Sequence, residues 1–209
     1  MCQPYSRYRS YEPDEAEPGS DGRVLRNKLG ITDPDLMQEY EMEYSEQALK
    51  RILDSAVSEA LVTCEMIKQW HRWIFEELYN WAGKYREVEL SLPNDVLHFC
   101  PSMHIAASMD NYEREYLRVL TPLPLDFPDT YPEALAKLHA ELIIIHPFRD
   151  GNGRLARTLV DYLLVQANSI PAQWKVFKKK PDDYHTSIKL SVHKDYRLLA
   201  SLLREAIES

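Results

Sequence analysis

Two apolar helical runs separated by a polar loop constrain this chain more than any other feature. Leu135, Leu138, Leu142 and Ile145 recur at helical spacing within Ala134–Ile145, and Leu155, Leu159, Tyr162 and Leu163 do so in a run from Leu155 to Val165 that ends near Asn168. Such stripes need burial, so they predict a pair of core helices. Between them lies HPFRDGNGRLAR, His146 to Arg157. Pro147 stops the first helix, because a residue before proline disfavours the α region; this sets His146 at the helix exit. Gly151 and Gly153 flank Asn152, permitting positive φ and close backbone approach where the second helix opens.

The remaining pattern is mostly helical. Residues 1–22 are polar, rich in Pro, Tyr and acids, and are expected to form a mobile arm preceding a domain over residues 23–209. From Asp33 to about Trp81, three runs have helical spacing: Met37–Tyr40–Tyr44, Leu49–Ile52–Leu53–Ala56 and Met66–Ile67–Trp70–Trp73–Ile74–Leu78. Lys84–Phe99 is different. Val88 and Leu90 alternate with polar residues, and Pro93-Asn94-Asp95 is a turn signal before Val96, Leu97, His98 and Phe99, so a short β-hairpin is expected. Ile105–Leu120 and two stretches within Asp183–Ile207 complete the helices. The fold class expected is mainly α with one short β-hairpin.

The loop has the parts for chemistry on phosphates. Glycines opening a helix leave backbone N–H groups facing an anion, with the helix dipole favouring negative charge. Arg154 and Arg157 stand three apart and can share one face, and guanidinium forks match phosphate oxygens. Asp150 beside them is suited to Mg²⁺, a hard cation that takes oxygen ligands. His146 titrates near neutrality and can act as a base. Each part has ordinary structural uses, but together they describe phosphoryl or nucleotidyl transfer.

These residues resemble the Fic (Fido) family, whose signature is HPFxxGNGRxxR with an acid before the first glycine; His146, Pro147, Phe148, Asp150, Gly151, Asn152, Gly153, Arg154 and Arg157 all match. Ile74–Leu90 (IFEELYNWAGKYREVEL) and GSDGRVLRNKLGITD extend the resemblance to roughly residues 20–205. It implies a Fic-type helical domain that transfers AMP from ATP to a hydroxyl of a target protein, in a toxin or effector role. His146 would be the base and Asp150 the Mg²⁺ ligand. The Gly151–Gly153 backbone and the Asn152 side chain would hold the α-phosphate, Arg154 and Arg157 the outer phosphates, and Phe148 would be a buried anchor. The hairpin from Glu89 to Phe99 would be the flap on which an extended target segment docks by strand addition. Doc-type members lack this GNG loop, so AMP transfer is expected over phosphate transfer. Another nucleotide or a phosphocholine donor, AMP removal, and a silent ATP-binding scaffold are the alternatives. Lys179 and Tyr184 are candidate adenine contacts.

Fic proteins are often inhibited by a helix carrying Ser or Thr, three residues, Glu, then Gly or Asn. Ser55–Ala60 and Ser201–Ala206 approach this with Glu59 and Glu205, but end in Ala and fall in segments of helical periodicity. A separate antitoxin-like protein is therefore expected as inhibitor. The formal net charge of −8 gives no support for a nucleic-acid partner. Neither a secretory signal nor a membrane span is evident, so a cytoplasmic protein is expected. Three cysteines without metal-type spacing are read as reduced thiols.

Overall fold

A computed structural model describes residues 9–10, 15–57, 59–91, 98–125 and 128–209. Helix α1 (Pro34–Asp54) starts where Asp33 accepts from the Asp35 and Leu36 amides, with Pro34 in its first turn. It runs straight through what read as two separate runs, since no Gly or Pro interrupts it. Thr63 caps α2 (Cys64–Phe75), which buries Ile67, Trp70, His71, Ile74 and Phe75 along one stripe. That helix ends six residues short of Trp81, and turns lead on to Gly83 at φ 74°.

The strands are short. β1 (Arg9–Ser10) pairs antiparallel with β2 (Leu90–Ser91), Arg9 opposite Ser91 and Ser10 opposite Leu90. On its other side, Ser91 bridges antiparallel to His98. This is the base of the expected hairpin; its turn at Pro93-Asn94-Asp95, with Val96 and Leu97, lies outside the described residues. Helix α3 (Ile105–Tyr112) continues through a π turn (Glu113–Leu117) into α4 (Arg118–Leu120).

Helix α5 (Tyr131–Ile145) is the centre of the fold. It is apolar on nearly every side and packs against α3, α6 (Asn152–Gln166), α8 (Pro181–Val192) and α9 (Arg197–Glu208). The short α7 (Lys175–Lys179) precedes α8. The two apolar runs thus form an adjacent buried pair, α5 and α6, and the polar loop joins them. The architecture is mainly α, as expected. Among the described residues no helix is long and apolar enough to cross a membrane.

Candidate active site

His146 caps α5 in the left-handed conformation, φ 53° and ψ 58°, a strained state for a residue with a Cβ. Its amide still bonds the Leu142 carbonyl. Its Nδ1 lies 3.0 Å from the Ile143 carbonyl oxygen, which can only accept. Nδ1 therefore carries the proton, and Nε2 presents the lone pair. The ring is 3% exposed and stacks on Phe99 at 3.8 Å. Burial pulls its pKa down from 6.5 to about 3, so the imidazole is neutral at physiological pH.

The loop after it is built around Gly151, which sits at φ 77° as the N-cap of α6. A Cβ there would come within 2.2 Å of the Phe75 ring. Gly153 has different surroundings. Its backbone is helical, and a Cβ would meet the nearest atom, Arg157 Nη1, at 3.6 Å, an ordinary contact. No side chain caps α6, so the first-turn amides of Asn152, Gly153 and Arg154 are placed for an anion. Asp150 is half-buried beside them, its Oδ1 accepting from the Gly151 amide at 2.6 Å.

Two of the expected phosphate residues make contacts within the chain. The Asn152 side chain, expected on the α-phosphate, is fully buried; its Oδ1 accepts from the Phe148 amide and its Nδ2 donates to the Phe148 carbonyl. It clamps the loop, leaving its backbone amide for a phosphate. Arg154, expected on the outer phosphates, donates to the Glu41 carboxylate at 3.1 Å and to Ser45 Oγ at 2.5 Å, and lies 5.0 Å from the Phe75 ring centre. Tyr79 donates its hydroxyl to the same Glu41, which is nearly buried. Arg157 lies within electrostatic reach of His139, Asp161 and Tyr184. Tyr184 donates to or accepts from His139 Nε2 at 3.0 Å, whereas Lys179 is exposed at the end of α7.

Glu59 is exposed in a turn at φ 71°, not in a helix, and Glu205 is exposed on α9 and pairs with Lys180. A carboxylate that does pair with a motif arginine is Glu41, on Arg154, and no inhibitory pattern marks it.

Two further residues hold the loop, and sequence reasoning missed both. His71 accepts from the Gly83 amide at Nδ1, so its Nε2 donates to the Asp150 carbonyl at 3.1 Å, and its ring stacks on Phe148 at 3.8 Å. Burial lowers its pKa to about 3, keeping that neutral tautomer. Arg86, 4% exposed, donates to the carbonyls of His146 (2.8 Å), Val88 (2.7 Å) and Cys100 (2.5 Å), while its amide donates to the Pro147 carbonyl. One guanidinium therefore ties both sides of the hairpin base to the histidine. A polar residue within the apolar stripe of α2 was the available hint for His71; nothing in the sequence separates Arg86 from a surface arginine.

The sequence and the fold have parallels in known proteins. Residues 61–164 match the model of the Fic/DOC family, spanning α2 through α6 and the whole loop. The chain belongs to that family, which at family level places it with the Fic-type adenylyltransferases. It is 28% identical over 159 residues to the probable protein adenylyltransferase y4lH of Sinorhizobium fredii, covering 71% of this chain and 73% of that one. The N-terminal Fic domain of a Bartonella effector protein from Bartonella sp. AR 15-3 shares the fold with a TM-score of 0.71 at 20% identity, over 93% of this chain and 90% of that one. The BepC protein of Bartonella tribocorum, solved with bound AMPPNP, does so with a TM-score of 0.69 at 17% identity, over 93% and 96% of the two chains.

Proposed function

We propose that this chain transfers AMP from ATP to a hydroxyl side chain of a target protein, with release of pyrophosphate. The observation that carries the reading is the arrangement around α6. A neutral histidine with its lone pair on Nε2 stands at the exit of α5, and the uncapped amides of Asn152, Gly153 and Arg154 stand across a five-residue loop. Nε2 of His146 accepts the proton of the target hydroxyl as its oxygen attacks the α-phosphorus. The bond from that phosphorus to the bridging oxygen breaks, and pyrophosphate leaves. The amides take up charge on the phosphoryl oxygens, already oriented by His71, Asn152 and Arg86. Arg157, and Arg154 once it leaves Glu41, meet the outer phosphates.

Asp150 fits a single Mg²⁺ ligand. Its Oδ1 is taken by the Gly151 amide, and the described residues contain no cluster of three His, Cys, Asp or Glu able to hold a metal. The remaining ligands would be phosphate oxygens and water. When bound, the ion supplies positive charge against the triphosphate.

For partners, an extended target segment adding to the β2 edge is the reading the β1–β2 pairing supports, because a strand of this chain already lies along that edge. A separate antitoxin-like inhibitor, and a toxin or effector role, are consistent with Glu59 lying exposed in a turn and Glu205 pairing with Lys180. The test uses ATP labelled at the α- or γ-phosphate, Mg²⁺ and a cell lysate, with His146→Ala as control. Label from the α-position should appear on protein and vanish in the variant. Transfer of γ-label alone would indicate a kinase-like member, and no transfer of either would favour an ATP-binding scaffold.

A further inference from the structure

The segment before α1 is fastened to the site at two separate points. At the first, β1 (Arg9–Ser10) lies along β2 on the side away from His98, so β2 is the middle strand and its outer edge is taken. At the second, the Glu15 carboxylate accepts from Nε of Arg149 at 2.8 Å and pairs also with its Nη2. Arg149 belongs to the active-site loop, between Phe148 and Asp150, and is 4% exposed. The chain from Glu15 to Glu17 is braced in turn by the stretch before α1. The Glu15 carbonyl accepts from the Arg26 amide, Ala16 bridges Leu25, and the Glu17 carboxylate accepts from the Asn27 amide. An ion pair on a nearly buried guanidinium holds better than one between solvated groups.

A strand edge is a row of main-chain donors and acceptors and can be used by one added strand at a time. We propose that β1 (Arg9–Ser10), tethered to the loop through Glu15, is an intramolecular competitor for the β2 edge, displaced when an extended target segment docks. The proposal rests on the reading of β2 as the target's docking edge. It assigns regulation at the protein-substrate side of the site, distinct from a block at the phosphates. Glu15–Arg149 sets the geometry: it anchors the segment to the loop, so the tethered strand acts at an effective concentration on the order of millimolar. If the free strand binds with a dissociation constant of about 100 µM, the edge is occupied in cis about ten to one, and any competing strand binds about tenfold more weakly.

The probe is a fluorescein-labelled peptide of residues 5–14, YSRYRSYEPD, titrated by anisotropy without ATP. It is added to the wild-type chain, to the double variant Arg9→Pro/Ser10→Pro, and to Glu15→Gln. Proline removes the ladder donors of β1, and Gln removes the charge that anchors it. The expected result is about tenfold tighter peptide binding to the proline variant and about threefold to Glu15→Gln, where β1 keeps its sequence. Equal affinity for all three chains overturns the proposal. Transfer of α-label to protein, measured in parallel, separates the two readings. Tighter binding without any label transfer leaves the competition standing and removes the enzymatic reading. Label transfer with unchanged peptide affinity does the reverse.

Discussion

Gly151 and Gly153 stand two residues apart in the same motif, and the structure predicts that alanine at each will have opposite effects on stability. At Gly151 an added Cβ meets Phe75 at 2.2 Å, and the backbone is at φ 77°. Left-handed backbone costs an L-residue about 1–2 kcal/mol, and overpacking costs about 1–3 kcal/mol. The lower chain entropy of unfolded Ala returns about 0.4–1 kcal/mol. Gly151→Ala should therefore lose about 2–4 kcal/mol, a fall in Tm of about 5–15 °C for a chain of this size. At Gly153 the backbone is helical and the nearest atom is 3.6 Å away. Gly153→Ala should gain about 0.5–1 kcal/mol from helix propensity, raising Tm by about 2–3 °C. Its Cβ would stand where a phosphate approaches the α6 amides, so nucleotide affinity should fall although stability rises. Thermal unfolding by circular dichroism and calorimetric titration with a non-hydrolysable ATP analogue measure both. Equal stability changes in the two variants, or full nucleotide affinity in Gly153→Ala, would refute the reasoning. Phe75→Leu should recover part of the Gly151→Ala loss, because it removes the ring atoms that clash.

Arg86→Met keeps the side-chain length but strips three carbonyls of their charged donor; at about 1.5–3 kcal/mol per such bond with partial rescue by water, the loss should be about 3–5 kcal/mol, or roughly 10 °C in Tm, and a fall below about 3 °C would mean the clamp is dispensable. Glu41→Gln removes the carboxylate that competes with phosphate for Arg154, so nucleotide should bind about five- to tenfold tighter by calorimetry, equivalent to about 1 kcal/mol of relieved repulsion; unchanged or weaker binding would mean that Glu41 instead positions the arginine. Acidification should destabilise the chain. His71, His139 and His146 are held near 3 by burial against 6.5 when unfolded, so below pH 6.5 the unfolded state binds more protons and stability falls. Asp161 acts oppositely: burial raises it from 3.8 to about 6, so across that window the folded state keeps a proton that the unfolded state releases. Three groups outweigh one, so Tm should drop from pH 7 to pH 5, and more steeply in Asp161→Asn; a flat or rising profile contradicts the assignment.

The HPFRDGNGRLAR loop, its place between two buried helices and the helical class were legible because each depends on local rules: apolar periodicity, a proline stop, a glycine start. The place of His146 at the helix exit was legible for the same reason, since Pro147 sets its position on the chain. What holds that loop could not be read locally. His71, Arg86 and Glu41 lie 79, 60 and 113 positions from the loop groups they bind, and their types are common on helix surfaces and in turns. The contact of Glu15 with Arg149 spans 134 positions and is equally silent in the sequence. The same limit applies to the inhibitory pattern, whose two near matches fall on exposed carboxylates while the carboxylate touching Arg154 sits on α1. Sequence by itself determined the chemistry available, because side-chain type and near-neighbour spacing set what a loop can donate, accept or bind. Tertiary structure alone decided which arginine is already paired, which nitrogen of His146 holds the lone pair and which strand edge is already occupied, because each of these depends on packing between distant segments.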